Sequence, residues 1–212
     1  MKELQFEVMV ATEEHLIYIP QILHEIEESA KERGTGIARR TAEYLEEKIR
    51  EQKAVIALSN EGEWAGFCYI ETWSNKTYVA NSGLIVKKKF RKVGISKRIK
   101  EKTFEYSRQK YPGAKLFGLT TGLAVMKINS DLGYTPVTYS ELTQDEVFWS
   151  GCKSCVNYSI LVSKEGKNCL CTAMLYTGEK IEKKKVEVVT ESMEQRKVFS
   201  SVKKIKELVW KK

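Results

Sequence analysis

The chain has 212 residues, with 36 Lys and Arg against 28 Asp and Glu and a net charge of +8. A hydrophobic content of 42% with only three prolines excludes a disordered chain, and no stretch holds the roughly 18 apolar residues of a membrane helix. The start, MKELQFEVMVATEEHL, has early acids and no long apolar core, so it is not read as a secretory leader, and a cytoplasmic protein is expected. The positive balance predicts an anionic partner: a phosphorylated cofactor, an acidic substrate or nucleic acid. Nucleic acid is disfavoured, because the aromatics do not interleave with the basic residues as a binding motif would require.

Taken in chain order, Phe6, Val8 and Val10 mark a first strand. Leu16, Ile19, Ile22, Leu23 and Ile26 then recur at helical spacing, with Thr12 as a cap and Pro20 expected to bend or break the helix. Gly34 and Gly36 interrupt the pattern before a second helix at about 38–52. Residues 54–58 and 65–73 flank the turn residues Asn60, Glu61 and Gly62, a hairpin. A strand at 77–86, a helix at 93–106, a strand at 115–121 and a short helix at 123–132 closed by Gly133 follow. Further strand is expected near 137–139, and a late hairpin from 158–162 and 168–175 around Glu165 and Gly166. The charged tail carries a helical stripe of Val198, Val202, Ile205 and Val209, to be buried against the sheet or against a second subunit, which leaves a homodimer open. The expected domains are 1–180, including a Cys-rich hairpin at 150–175, and a helical extension at 181–212.

The stretch VKKKFRKVGIS, residues 86–96, puts five cations into seven residues and then a glycine ahead of a helix. Helix N-terminal amides, aided by the helix dipole, bind phosphate oxygens, and a glycine lets the anion approach the backbone. The alternative is a solvated charged loop. The spacing resembles the signature of the GNAT superfamily, the acyl-coenzyme A dependent N-acyltransferases: a branched apolar residue, three variable residues, an aromatic, Arg or Gln, two variable residues, Gly, one variable residue, and Gly or Ala. Here it reads V-KKK-F-R-KV-G-I-S, with Ser96 in place of the last small residue. Leu132-Gly133-Tyr134 matches the family's downstream aliphatic-Gly-aromatic motif. The resemblance covers about residues 4–162 and implies the GNAT fold: an α/β fold with a mixed central β-sheet and flanking helices, here with a Cys-containing β-hairpin and a C-terminal helix added.

The resemblance further implies that Leu84, Ile85 and Val86 present backbone groups to the pantetheine arm of acetyl-CoA or another acyl-CoA. Arg91, Lys92, Val93, Gly94, Ile95 and Ser96 would surround the pyrophosphate through their amides, with Arg91 and the lysines adding charge. Asn129 stands where the family often has a tyrosine general acid and is carried as a cofactor-site residue; Gly122 stands where an asparagine is often seen. The usual proton donor is therefore missing. Glu71 is the candidate base, against the alternative of a solvated strand carboxylate. Tyr134 and Tyr139 are replacement acids, each with a core role as the alternative. Arg39 and Arg40, within RGTGIARR, could grip a substrate carboxylate through bidentate pairs or be surface arginines of a turn. GTGIARRTAEYL also resembles, more loosely, GNAT proteins of the N-acylglutamate synthase type associated with arginine biosynthesis, which points to amino-acid metabolism.

Cys152, Cys155, Cys169 and Cys171 have the spacing C-x2-C-x13-C-x-C. A structural zinc, reduced or redox thiols, and catalytic thiol chemistry all stay open for them. The sequence thus predicts an N-acyltransferase acting on the amine of a small polar metabolite or amino acid, with glutamate the sharpest guess. The rival is a basic binding module with a vestigial acyltransferase fold that holds nucleic acid or a protein partner.

Overall fold

The computed structural model describes residues 5–33 and 39–178. The expected glycine break at 34–36 and the C-terminal helix fall outside the described residues. Strand β1 (Phe6–Val10) leads through a 3-10 turn (Glu13–Tyr18) into helix α1 (Ile19–Arg33). Pro20 neither bends nor breaks this helix, because it is the second helical residue, where the backbone donates no intrahelical bond and proline costs nothing. Helix α2 (Ala42–Arg50) starts at Thr41, whose side chain accepts from the Tyr44 amide at 3.2 Å. The predicted hairpin follows as β2 (Ala54–Ser59) and β3 (Trp64–Trp73), then β4 (Tyr78–Val86). Helix α3 (Ile95–Lys110) crosses to β5 (Lys115–Thr120), and α4 (Leu123–Asp131) leads to β6 (Thr135–Val137).

The sheet has seven strands in the order β1-β2-β3-β4-β5-β7-β6, where β7 is Thr172–Tyr176. Only the β4–β5 pairing is parallel. The two faces of β2 show how the layers form. Ala54 and Ile56 join α1 and α2 residues Ile22, Ile26, Leu45 and Ile49 in one core, and Val55 and Ala57 pack with Ile95 and Ile99 of α3 on the other. Strand alternation thus sandwiches the sheet between α1/α2 and α3. No helix among the described residues is long and apolar enough to cross a membrane.

Two irregularities shape the sheet beside α1. Between Phe67 and Tyr69 the β3–β4 register advances two residues on β3 against three on β4, from Ile85 to Ser82. The extra residue is a bulge at Gly83–Leu84. Gly83 sits at φ +65°, and a Cβ there would lie 2.1 Å from the Tyr69 ring. Glycine is therefore required twice over, by backbone angle and by space. The second irregularity is a split. Strands β4 and β5 pair at Tyr78–Lys115, Val79–Leu116 and Ala80–Phe117, and no further pair forms although both strands continue.

The late hairpin is corrected. Helices α5 (Glu146–Ser150) and α6 (Tyr158–Ser163) flank a 3-10 turn (Gly151–Ser154), and only the return limb is a strand, β7. The run YSILVS is too short for its periodicity to separate strand from helix, and it buries Leu161 against Phe117, Tyr139 and Leu175 as a helix. The zinc expectation is not met: among the described residues no group of three His, Cys, Asp or Glu is arranged to hold a metal ion. All four cysteines are free thiols. The Cys169 thiol donates to the Asn157 carbonyl at 3.7 Å. Burial, and after it the neighbouring thiols of Cys169, Cys155 and Cys152, push the Cys171 thiol up to about 12.

Two measurements check this description. Gly83→Ala should destabilise the fold by about 2–4 kcal/mol in urea unfolding, from left-handed strain plus overpacking on Tyr69. Because the folded Cys171 thiol stays protonated where an unfolded thiol ionises, its stabilisation is complete below about pH 8.5 and is lost as pH rises towards 12. Thermal melts above pH 9 should therefore fall more steeply with pH for the wild type than for Cys171→Ala.

Candidate active site

The loop expected to seat a phosphate begins where β4 ends. Phe90 plugs into the α3-side core and makes an edge-on contact with Phe6, centroids 5.3 Å apart. Lys92 at φ 68° and Gly94 at φ 84° then turn the backbone through the left-handed region before α3 starts. None of the backbone amides of Lys92, Val93, Gly94, Ile95 and Ser96 donates to an acceptor among the described residues. A Cβ on Gly94 would meet nothing within 4 Å. The loop therefore presents unpartnered N–H groups to open space at the positive end of a helix, an anion cradle made of backbone.

The cations of this loop do a different job from the one expected. Arg91 donates through Nη2 to Glu25 at 2.5 Å and to Ser29 at 2.8 Å, and through Nε to the Val86 carbonyl at 3.1 Å. Its Nη1 pairs with Glu32 at 3.4 Å. Its own amide donates to the Lys88 carbonyl at 3.3 Å. Arg91 thus staples the loop to α1 and has neither guanidinium nor amide to spare for a phosphate. Lys88 pairs with Glu32, while Lys87 and Lys89 both pair with Glu63. Of the five cations in the stretch, Lys92 is the one without an ion pair among the described residues.

The split between β4 and β5 opens a cleft of about 500 Å³, lined on β4 as far as Ile85. Ser82, Gly83, Leu84 and Ile85 form one wall and residues 118–121 the other. Val86 is buried beneath α3 and does not line the cleft, and its carbonyl accepts from Arg91. Glu71 lines the cleft from β3, and the Tyr44 phenol donates to its Oε1. Burial raises the Tyr44 phenol, with the Glu71 charge adding to the effect, so it stays a donor. Arg39 and Arg40 lie at the same end. Arg40 donates through Nε to the Tyr69 hydroxyl at 2.5 Å and through Nη1 to the Arg39 carbonyl at 3.0 Å. Its guanidinium lies 5.3 Å from the Tyr44 ring centre and 5.7 Å from that of Tyr69. Arg40 has no carboxylate within ion-pair distance among the described residues.

The segment after β6 roofs this end. Trp149 donates to the Thr143 carbonyl at 2.9 Å, and Ser74 meets the Thr143 hydroxyl at 2.8 Å. Val147, Phe148, Cys152, Cys155 and Cys171 reach the cleft from it, while Cys169 packs into the core behind.

Three sequence candidates lie away from the cleft. Tyr134 is 2% exposed and donates to Asn81 Oδ1 at 2.9 Å from within the core. Tyr139 is buried, donates to the Cys171 carbonyl at 2.8 Å and stacks on Trp149. Asn129 is buried in α4; its amide lies 3.7 Å from the Met174 sulfur and its Oδ1 has no partner. None of the three lines the cleft. Tyr44, Tyr69 and Lys100 line the cleft and were not singled out from sequence.

No protein-family model and no curated protein matches the chain. Solved structures match in shape at low identity. N-acetylglutamate synthase from Neisseria gonorrhoeae, complexed with coenzyme A and N-acetylglutamate, is 19% identical with a TM-score of 0.58, over 82% of this chain and 35% of that one. The chain therefore spans about a third of that synthase. A Mycobacterium tuberculosis protein in complex with CoA is 17% identical at a TM-score of 0.59, over 81% of this chain and 98% of that one. An acetyltransferase of the GNAT family from Staphylococcus aureus is 14% identical at 0.55, over 66% and 91%. With its split parallel strand pair, its bulged β4 and its amide-lined turn into α3, this chain has the GNAT fold.

Proposed function

We propose that the protein transfers an acyl group, acetyl first among the candidates, from coenzyme A to the amine of a small acidic metabolite, with glutamate as the specific case. The observation that carries this reading is a cleft that holds an arginine with no carboxylate partner beside a glutamate, in a sheet whose β4 wall runs on into a loop of unpartnered backbone amides. The N-acetylglutamate synthase neighbour, solved with coenzyme A and N-acetylglutamate, supports the substrate class.

The residues present fit an acyl-CoA. The amides of Lys92–Ser96 would take the pyrophosphate, and Leu84 and Ile85 would line the pantetheine arm. The coenzyme supplies a thioester carbonyl activated towards an amine. Arg40, with Arg39 beside it, holds the acceptor's carboxylate, and its planar fork suits bidentate pairing. Tyr69 and Tyr44 fix that guanidinium from two sides. Glu71 takes the proton that the acceptor ammonium must lose, through the oxygen that Tyr44 leaves free, directly or through one water. Holding amine and acyl carbon together in this pocket supplies much of the remaining rate.

Acetyl-CoA should raise the melting temperature of the wild type, and Gly94→Glu, which fills the cradle with a carboxylate, should abolish the rise. No rise in the wild type would overturn the acyltransferase reading. In a CoA-release assay across glutamate, aspartate, glutamine and putrescine, the two acidic acceptors should lead. Arg40→Gln should raise their KM about 10–100-fold with a smaller change in kcat. Glu71→Gln should lower kcat by about 10²–10⁴-fold. A preference for putrescine would refute the acidic-acceptor assignment.

A further inference from the structure

Lys100 is a buried amine that the scheme above leaves unused. It lies on the sheet-facing side of α3, is 1% exposed, and lines the cleft. Lysine is almost never fully buried without a paired anion. Here Nζ has no carboxylate partner among the described residues and donates only to the Asn81 backbone carbonyl, at 2.9 Å. That carbonyl stands at the split, one residue past the last β4–β5 pair, Ala80–Phe117. It faces β5, since a Cβ on Gly118 would lie 4.0 Å from it. Lys100 therefore reaches from below into the gap between the parted strands.

The surroundings leave this amine chemically available. The Cys68 thiol approaches from β3 and is itself bonded to the Ser82 carbonyl at 3.2 Å, with burial pushing its pKa up. Tyr134 lies behind the Asn81 side chain, which also donates to Ser107 at 2.7 Å. Burial lowers the Lys100 pKa, with the Cys68 charge acting in the opposite sense, so this ammonium gives up its proton more readily than a free lysine.

Position points the same way. Asn81 lies five residues up the strand from Val86, about 16 Å at the rise of a β-strand. A pantetheine arm laid along Ile85 and Leu84 would run towards this level. The position that the tyrosine acid would occupy is held by Asn129, buried away from the cleft.

We propose that Lys100 is the group that receives the coenzyme's sulfur and protonates it as the acyl group departs, an assignment that rests on the acyl-CoA reading above. In this step the acceptor nitrogen bonds to the acyl carbon and the carbon–sulfur bond breaks, with its electron pair going to sulfur. The Nζ proton moves to sulfur, giving free CoA thiol and a neutral lysine. The excess proton on the acceptor nitrogen goes to Glu71, and proton exchange with water resets both groups.

The test uses the full chain with CoA, desulfo-CoA and acetyl-CoA. The difference in near-ultraviolet absorbance between the CoA and desulfo-CoA complexes, followed against pH, reports ionisation of the bound thiol. In the wild type the thiol should ionise about one pH unit or more below free CoA; in Lys100→Met it should ionise at or above free CoA. Lys100→Arg keeps a cation and a donor to Asn81 but cannot give up a proton, so the thiol should stay acidic while turnover falls about 100-fold or more. The acetyl-CoA thermal shift should survive in both variants. Thiol titrations that coincide in wild type and Lys100→Met, with CoA bound to both, would overturn the assignment and leave the cofactor reading intact. Absence of any CoA-dependent shift in the wild type would remove both.

Discussion

The parting of β4 from β5 after three residue pairs is the constraint on which the site depends. A parallel ladder that continued would satisfy its own backbone and close the sheet. By stopping at Ala80 and Phe117 it leaves carbonyls and amides of both strands facing a gap, and buried backbone groups must find partners. Lys100 caps one of them, the Asn81 carbonyl. The side chain of the same asparagine is held from behind by Tyr134 and Ser107. A polar network therefore runs from the core to the floor of the cleft and holds the split open at a fixed residue.

The bulge opposite is its complement. One extra residue on β4 places Gly83 under the Tyr69 ring, and only a glycine permits that approach. The ring passes over the strand and delivers its hydroxyl to Arg40. Tyr44, set on α2 by the Thr41 cap, meets Tyr69 edge-on and reaches Glu71. The proposed acceptor side is thus assembled from a helix cap, a bulge and an aromatic pair drawn from separate elements.

This division explains what could be read from the sequence. The shape of the loop was legible because it lies in consecutive backbone atoms, and V-KKK-F-R-KV-G-I-S encodes it locally. Glu71 and the two arginines were legible as charges on a strand and in a turn. Lys100 was not: in sequence it is one of many lysines on an amphipathic helix, and only the depth of α3 against the split sets it apart. Tyr134 and Tyr139 were legible as phenols but not as buried phenols with settled partners. The late hairpin was misread because a short run rich in β-branched residues fits either element until something packs on it. Arg91 fits the family signature, and its role as a staple to Glu25 and Ser29 needed the position of α1.

Three carboxylates offset most of the charge that residues 87–92 show in sequence. Lys87 and Lys89 share Glu63, Lys88 pairs with Glu32, and Arg91 pairs with Glu25 and Glu32, which leaves Lys92 without an ion pair among the described residues. Beside Lys92 the loop offers an array of fixed dipoles, whose field dies away faster with distance than that of free charges. An anion arriving there would be sorted at contact, by whether its oxygens match the spacing of the amides. A segment that looks in sequence like an electrostatic lure is, once folded, closer to a template.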